Sequence, residues 1–174
     1  NGDKWVDSGY WLSNYSICGW GGIECDNGHI IGLYIENNNL RGMLPHSMQY
    51  LARLQFIYLG CNNITGTLKY LSQMSNLSKI SLPRNNINGT LPEFSTRILQ
   101  TFDITSNNIT GTLPIMFNYL NTLIFILASE NKIEGTMPDL SRSKNMIAIE
   151  FYKNKLSGKI TNMFMEMCQL STLI

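Results

Sequence analysis

Charge is scarce in this sequence: Asp, Glu, Lys and Arg make up 14% of its 174 residues and leave a net charge of +1. That excludes the basic stripe of a nucleic-acid-binding surface and the polybasic patch that holds a protein on an anionic membrane. No apolar run reaches the roughly 18 residues of a membrane span. Histidine occurs only as His29 and His46, and neither stands beside a Ser, Cys or Asp in a nucleophile motif. The GWGG stretch at 19–22 lacks the strand and helix that a phosphate-binding loop requires. No catalytic residue, cofactor or metal site is expected.

What the chain has in excess is one phrase. NNITGTL stands at 62–68 and again at 107–113, with NNINGTL at 85–91, and NNLRGML, NKIEGTM and NKLSGKI fall on the same frame at 38–44, 131–137 and 154–160. The first Asn of each copy (Asn38, Asn62, Asn85, Asn107, Asn131, Asn154) follows its predecessor by 24, 23, 22, 24 and 23 residues, a period typical of a solenoid. Three and five residues before each Asn sit apolar side chains, Leu59 and Ile57 in one coil, Leu82 and Ile80 in the next, and this alternation reads as a short strand. Six residues after each Asn comes Leu44, Leu68, Leu91, Leu113, Met137 or Ile160, so the variation in period lies in the remaining arc.

One strand and one arc cannot bury their own apolar face, but stacked copies share a continuous core, with strands about 4.8 Å apart. An Asn at the same bend of every coil can satisfy backbone groups stranded inside, as a structural ladder through Asn38, Asn62, Asn85, Asn107, Asn131 and Asn154. The glycine four residues later is read as the permissive residue of a turn. Asp103 and Glu150 then fall two coils apart in one column, about 10 Å, which is loose for a pair of catalytic carboxylates.

The frame LQTFDITSNNITGTLP at 99–114 resembles the plant-specific class of leucine-rich repeat, and the likeness covers nearly the whole chain. Residues 11–33 resemble that family's N-terminal cap through Cys18, Trp20, Gly22, Ile23, Cys25 and Asp26, and NGDKW resembles cap segments of algal and protist cell-surface repeat proteins, without the short helix that usually precedes them. Departures are Lys69 and Thr161 where the frame has Pro, and Ala128 as a small core residue. The resemblance implies an α/β-type solenoid, a right-handed leucine-rich repeat with a parallel sheet on its concave face and irregular or 3-10 arcs on the convex one. A cap at 1–29, six repeats over 30–169 and the start of another at 170–174 make up the expected organisation, the chain being a fragment of something longer.

The resemblance also implies a Cys18–Cys25 disulfide and hence an oxidising compartment; a zinc site there would need two further ligands, and only His29 is near. Cys61 and Cys168 lie about four coils apart, near 19 Å against the limit of about 7 Å for a disulfide, so they do not pair with each other. Asn14, Asn63, Asn76, Asn88 and Asn108 open Asn-x-Ser/Thr sequons for N-linked glycans, three of them placed in the turn after a strand. In the stretch 163–168, Phe164 and Met167, with Leu170 beyond, match core positions of earlier arcs.

With no chemistry elsewhere, a surface remains. Outward strand positions form two columns, Tyr34, Tyr58, Ser81, Asp103, Leu127, Glu150 and Gly32, Phe56, Lys79, Thr101, Phe125, Ala148. Tyr34 with Phe56 and Tyr58, and Phe125 with Leu127, make two apolar clusters of the kind that marks contact sites; Lys79, Asp103 and Glu150 complete the candidate ligand-binding set. The expected function is an extracellular or cell-surface recognition or adhesion module for a protein, peptide or glycan, as in the receptor ectodomains that the family includes. The alternative is a structural glycoprotein subunit that self-associates head to tail through its C-terminal end.

Overall fold

The computed structural model describes residues 4–159 and 164–174; the readings of residues 1–3, Ile160, Thr161 and Met163 lie outside them. Two sheets run the length of a solenoid. The first has eight strands, of which Ile23–Asp26 and His29–Tyr34 form an antiparallel hairpin. Phe56–Tyr58, Lys79–Ser81, Thr101–Asp103, Phe125–Leu127, Ala148–Glu150 and Thr172–Leu173 then add in parallel, one per coil. Equal positions pair: Leu33 with Ile57, Ile57 with Ile80, Ile80 with Phe102, Phe102 with Ile126 and Ile126 with Ile149. From Ile57 onward these inward side chains have no exposed surface, and each such burial contributes about 1.5–3 kcal/mol.

The second sheet corrects the reading of the repeated phrase as a turn. Arg41–Met43, Asn63–Gly66, Asn86–Thr90, Asn108–Gly111, Lys132–Thr136 and Lys155–Ser157 are strands of a six-stranded sheet on the flank. Ile64, Ile87, Ile109 and Ile133 point inward and are buried, while Asn and Thr alternate with them outside. The glycine keeps its left-handed backbone (φ 75° at Gly111), but its missing side chain also serves packing. A Cβ at Gly111 would stand 2.8 Å from the Thr90 methyl of the preceding coil, and Gly89, Gly135 and Gly158 face Thr67, Thr112 and Thr136 in the same way. On the arcs, 3-10 turns at His46–Tyr50, Lys69–Leu71 and Ile115–Tyr119 drive Met48, Leu71, Met116 and Phe117 into the core. Ala128 is fully buried, Met167 is buried, and Phe164 and Leu170 pack against the core.

Buried asparagines stitch the coils together. Asn85 Oδ1 accepts the Ile64 amide (2.9 Å) and its Nδ2 donates to Leu59 O (2.9 Å), both in the preceding coil. Asn107 repeats this with Ile87 and Leu82, Asn131 with Ile109 and Ile104, and Asn154 with Ile133 and Ala128. Asn62 accepts from Asn38 and Leu40 and donates to Ile35. In the first coil Asn38 reaches into the cap instead, accepting the Asp7 amide (2.6 Å) and donating to Asp7 O (2.7 Å). Each bond satisfies a backbone group that the bend removes from water, where an unmet one would cost about 1–3 kcal/mol.

Cys18 and Cys25 are joined in a disulfide, their Cα atoms 5.7 Å apart. Trp11 lies between Trp5 and Trp20 at 4.8 and 4.9 Å and donates its indole N–H to Gly21 O (2.8 Å). The cap covers the apolar end of the stack only in part. A hollow of about 490 Å³ remains beneath it, walled by Trp5, Trp11, Ile23, Leu33, Leu40 and Met48. Cys61 and Cys168 are free thiols.

Candidate recognition surface

Alternation along the first sheet turns Tyr34, Phe56, Tyr58, Lys79, Asp103, Phe125, Leu127 and Glu150 away from the core, and all of them keep solvent-exposed surface. Tyr34 and Tyr58 stack with ring centroids 5.2 Å apart and planes within 13°, and Phe56 lies 6.5 Å from Tyr34. Tyr34 donates its hydroxyl to Glu24 Oε2 (2.7 Å), and partial burial together with this bond pushes the phenol up to about 12. Gly32 makes the arrangement possible, since a Cβ there would fall 2.5 Å from Tyr34 Cε2 and 2.9 Å from Glu24 Oε2. Glu24 escapes sequence reasoning because it faces Gly32 only through the antiparallel cap hairpin, which the repeat frame does not encode.

The columns are uneven in height. Ser81 and Ala148 occupy outward positions yet are 8% and 7% exposed, because small side chains are shaded by larger neighbours. Beside Ser81 stands Asp103, whose Oδ1 accepts the Thr105 amide (3.0 Å). Burial raises the Asp103 carboxyl above its ordinary value, and the hydrogen bonds from Thr105 only partly oppose this. Asp103 and Glu150 are separated in register by Leu127, two strand spacings or about 10 Å. At the bend after the strands, the exposed Glu130 accepts from Lys153 Nζ (2.8 Å) and from the Ser106 hydroxyl (2.7 Å); these contacts lower the carboxyl and raise the ammonium.

Both histidines are committed locally. His29 Nδ1 donates to Asn27 O (2.9 Å), and His46 lies edge-on to Tyr50 and Tyr70 while accepting from Gln49 (2.7 Å). Among the described residues no group of three His, Cys, Asp or Glu side chains could hold a metal ion, and no helix is long and apolar enough to cross a membrane. Asn63, Asn88 and Asn108, expected in turns, are strand residues of the flank sheet, and Asn88 pairs with Asn108 on the next strand. Asn14 and Asn76 are exposed elsewhere, the latter donating to Ala52 O (2.7 Å).

A model of the family described as Leucine Rich Repeat matches residues 99–120. The coils are leucine-rich repeats. Receptor-like protein 49 of Arabidopsis thaliana is 32% identical over 103 residues, 50% of this chain and 12% of that protein. Receptor-like protein 32 of the same plant is 32% identical over 152 residues, 81% of this chain and 17% of the relative. Among solved structures, PEPR1 with AtPEP1 superimposes with a TM-score of 0.82 at 25% identity, over 90% of this chain and 23% of that chain. The plant peptide hormone receptor RGFR1 in complex with RGF2 gives 0.74 at 31% identity, over 78% of this chain and 22% of that one. This leucine-rich repeat chain thus spans about an eighth of the length of the first of these relatives and under a quarter of the two solved chains.

Proposed function

We propose that this chain is the ligand-recognition part of an extracellular or cell-surface protein and binds a protein or peptide on the concave face of its leucine-rich repeats. The observation that carries this reading is the ring cluster of the exposed Tyr34 with the half-buried Phe56 and Tyr58 on the outward side of the first sheet. Rigid aromatic side chains with a polar tip are the usual anchors of protein interfaces. That one structural neighbour is a plant peptide hormone receptor solved in complex with RGF2 supports a peptide-sized partner. Random heptapeptides displayed on phage and selected on the purified chain test it. Peptides retained by the wild type should be lost from the Phe56→Ala, Tyr58→Ala double variant and kept by a flank variant, Thr110→Lys. Equal retention by all three would place recognition elsewhere.

The flank sheet is the glycan-bearing side in this reading. Asn63 and Asn88 are exposed there, whereas Asn108 is half-buried and its Oδ1 accepts from Lys132 (3.1 Å). Asn88 and Asn108 stand on adjacent strands about 4.8 Å apart, so glycans on both would crowd one another. Mapping of secreted material by mass spectrometry should find sugar on Asn63 and Asn88 and little on Asn108. Unmodified Asn63 and Asn88 in secreted protein would remove the assignment.

A further inference from the structure

Charge on the concave face is not balanced. Asp103 is mostly covered, yet among the described residues neither ion pair involves it: these join Lys144 to Glu166 and Lys153 to Glu130. Lys79, on the neighbouring strand Lys79–Ser81, stands in the other column, paired with Thr101 rather than with Asp103. The position between Asp103 and Tyr58 is occupied by Ser81, so the column dips there, and on the other side Leu127 separates Asp103 from Glu150. A desolvated carboxylate with no cation beside it is disfavoured in its charged form, which is the direction in which its pKa moves. A cation supplied from outside would reverse that disfavour and gain a short charge-assisted hydrogen bond.

We propose that Asp103 is the ion-pair partner of a Lys or Arg side chain of an extended peptide ligand, with Phe125 and Leu127 forming the apolar contact for the ligand residue beside it. The proposal rests on the concave face being a peptide site. It names the ligand's chemistry further: a neutral glycan offers Asp103 hydroxyl donors but no positive charge, and an acidic peptide would meet it and Glu150 with repulsion. Spacing adds a second constraint. Tyr58 and Asp103 are two strands apart, about 10 Å, and an extended chain advances about 3.3 Å per residue with alternate side chains on one face, so the ligand's aromatic or aliphatic anchor and its basic residue are two or four residues apart. Arginine suits the site better than lysine because its planar fork can meet both carboxylate oxygens.

The test is the heptapeptide selection run in parallel on wild type, Asp103→Asn and Asp103→Lys. Wild type should enrich Arg or Lys two or four residues from an aromatic or aliphatic residue. Asp103→Asn should lose the basic preference and bind synthetic copies of the selected peptides about tenfold more weakly or worse. Asp103→Lys should select acidic residues in that place. Retained peptides without a basic bias, or with the same bias on Asp103→Asn, would overturn the proposal while leaving the concave face in place if Phe56→Ala, Tyr58→Ala still abolishes retention. If wild type retains no peptide above a bare surface, the peptide reading of the face falls, and this assignment with it.

Discussion

In the concave sheet equal positions of successive coils face each other, as Ile57, Ile80 and Phe102 do; in the flank sheet the register is shifted. There the third residue after one ladder Asn pairs with the first residue after the next: Arg41 with Asn63, Thr65 with Asn86, Asn88 with Asn108, Glu134 with Lys155. The ladder itself imposes the shift. Because Asn85 Oδ1 takes the amide of Ile64, two residues beyond Asn62, and Asn62 takes that of Leu40, two beyond Asn38, each of these ladder positions sits beside the second residue after the preceding ladder Asn. The pairings that follow are displaced by the same two residues.

The two sheets also differ in how far their outward residues are free to vary. On the flank, Thr67, Thr90, Thr112 and Thr136 recur because each methyl rests on the next coil's glycine. On the concave face, the central column reads Tyr34, Tyr58, Ser81, Asp103, Leu127, Glu150, with no type maintained beyond the first pair. Six coils of one chain act as an internal alignment: repetition marks positions bound by packing, and divergence marks positions that packing leaves alone. A ligand lying along the concave face therefore meets a different chemistry at each step of about 4.8 Å.

The hardest way to break this pattern is to remove the ladder at mid-stack. Asn107→Ala takes the side-chain acceptor from the buried Ile87 amide and leaves the Leu82 carbonyl only its longer bond from Asn85 (3.3 Å), and the loss should be about 2–4 kcal/mol in denaturant unfolding. The flank register should loosen first, which hydrogen exchange at Ile87 and Ile109 would report ahead of Ile80 and Phe102. Simultaneous loss of protection in both sheets would mean that the ladder does not set the flank register separately.

A smaller effect is expected where the flank sheet packs coil on coil. Gly111→Ala places a methyl 2.8 Å from Thr90 Cγ2 on a backbone with φ 75°, and should cost about 1–3 kcal/mol. Pairing it with Thr90→Ser, which removes the opposing methyl, should recover the steric part and leave the conformational part. If the double variant is no more stable than Gly111→Ala alone, the methyl contact is not what holds Thr at that position.

How much of this the sequence carries differs between the sheets for the same physical reason. Concave strands are legible because two inward residues, such as Ile57 and Leu59, bracket one outward residue in every coil. In the flank strands one inward Ile stands among Asn, Thr and Gly, residues that favour turns locally, and only stacking between coils makes a strand of them. The aromatic cluster could be read from the frame, but the bond from Tyr34 to Glu24 and the hollow under the cap could not. Both depend on how the hairpin Ile23–Asp26 and His29–Tyr34 folds against the first coil, outside any repeat.

At Asp103 the comparison predicts a stability effect of the opposite sign. Its carboxyl is raised in the folded chain above the ordinary 3.8, so the folded state holds the proton more tightly than the unfolded one. Stability from this group is greatest in acid, falls as pH rises from about 4 through the raised value, and stays at its lower level at neutral pH. Asp103→Asn removes that dependence and should be as stable as wild type at pH 7 or slightly more so, as thermal melts at several pH values would show. A clear loss of stability on Asp103→Asn at pH 7 would mean that the carboxylate is satisfied within the fold and holds nothing in reserve for a ligand.

The smallest expected effect lies at the N-terminal edge of the concave sheet. The Tyr34 phenol is raised to about 12 by partial burial and by its bond to Glu24, so between pH 10 and 12 the unfolded chain loses its Tyr34 proton before the folded one does. The stability contributed by this hydroxyl is therefore fully present below about pH 10 and disappears as pH climbs toward 12. Tyr34→Phe keeps the ring over Tyr58 and deletes only the bond to Glu24. At neutral pH its melting temperature should fall slightly, and above pH 10 the difference from wild type should narrow. Retention of peptides by Tyr34→Phe should match wild type if the stacked face recognises the ligand, and should fall if the hydroxyl does. The two outcomes separate a ring that serves as a platform from a phenol that serves as a donor, and because Glu24 already accepts that proton in the free protein, the platform is the outcome expected.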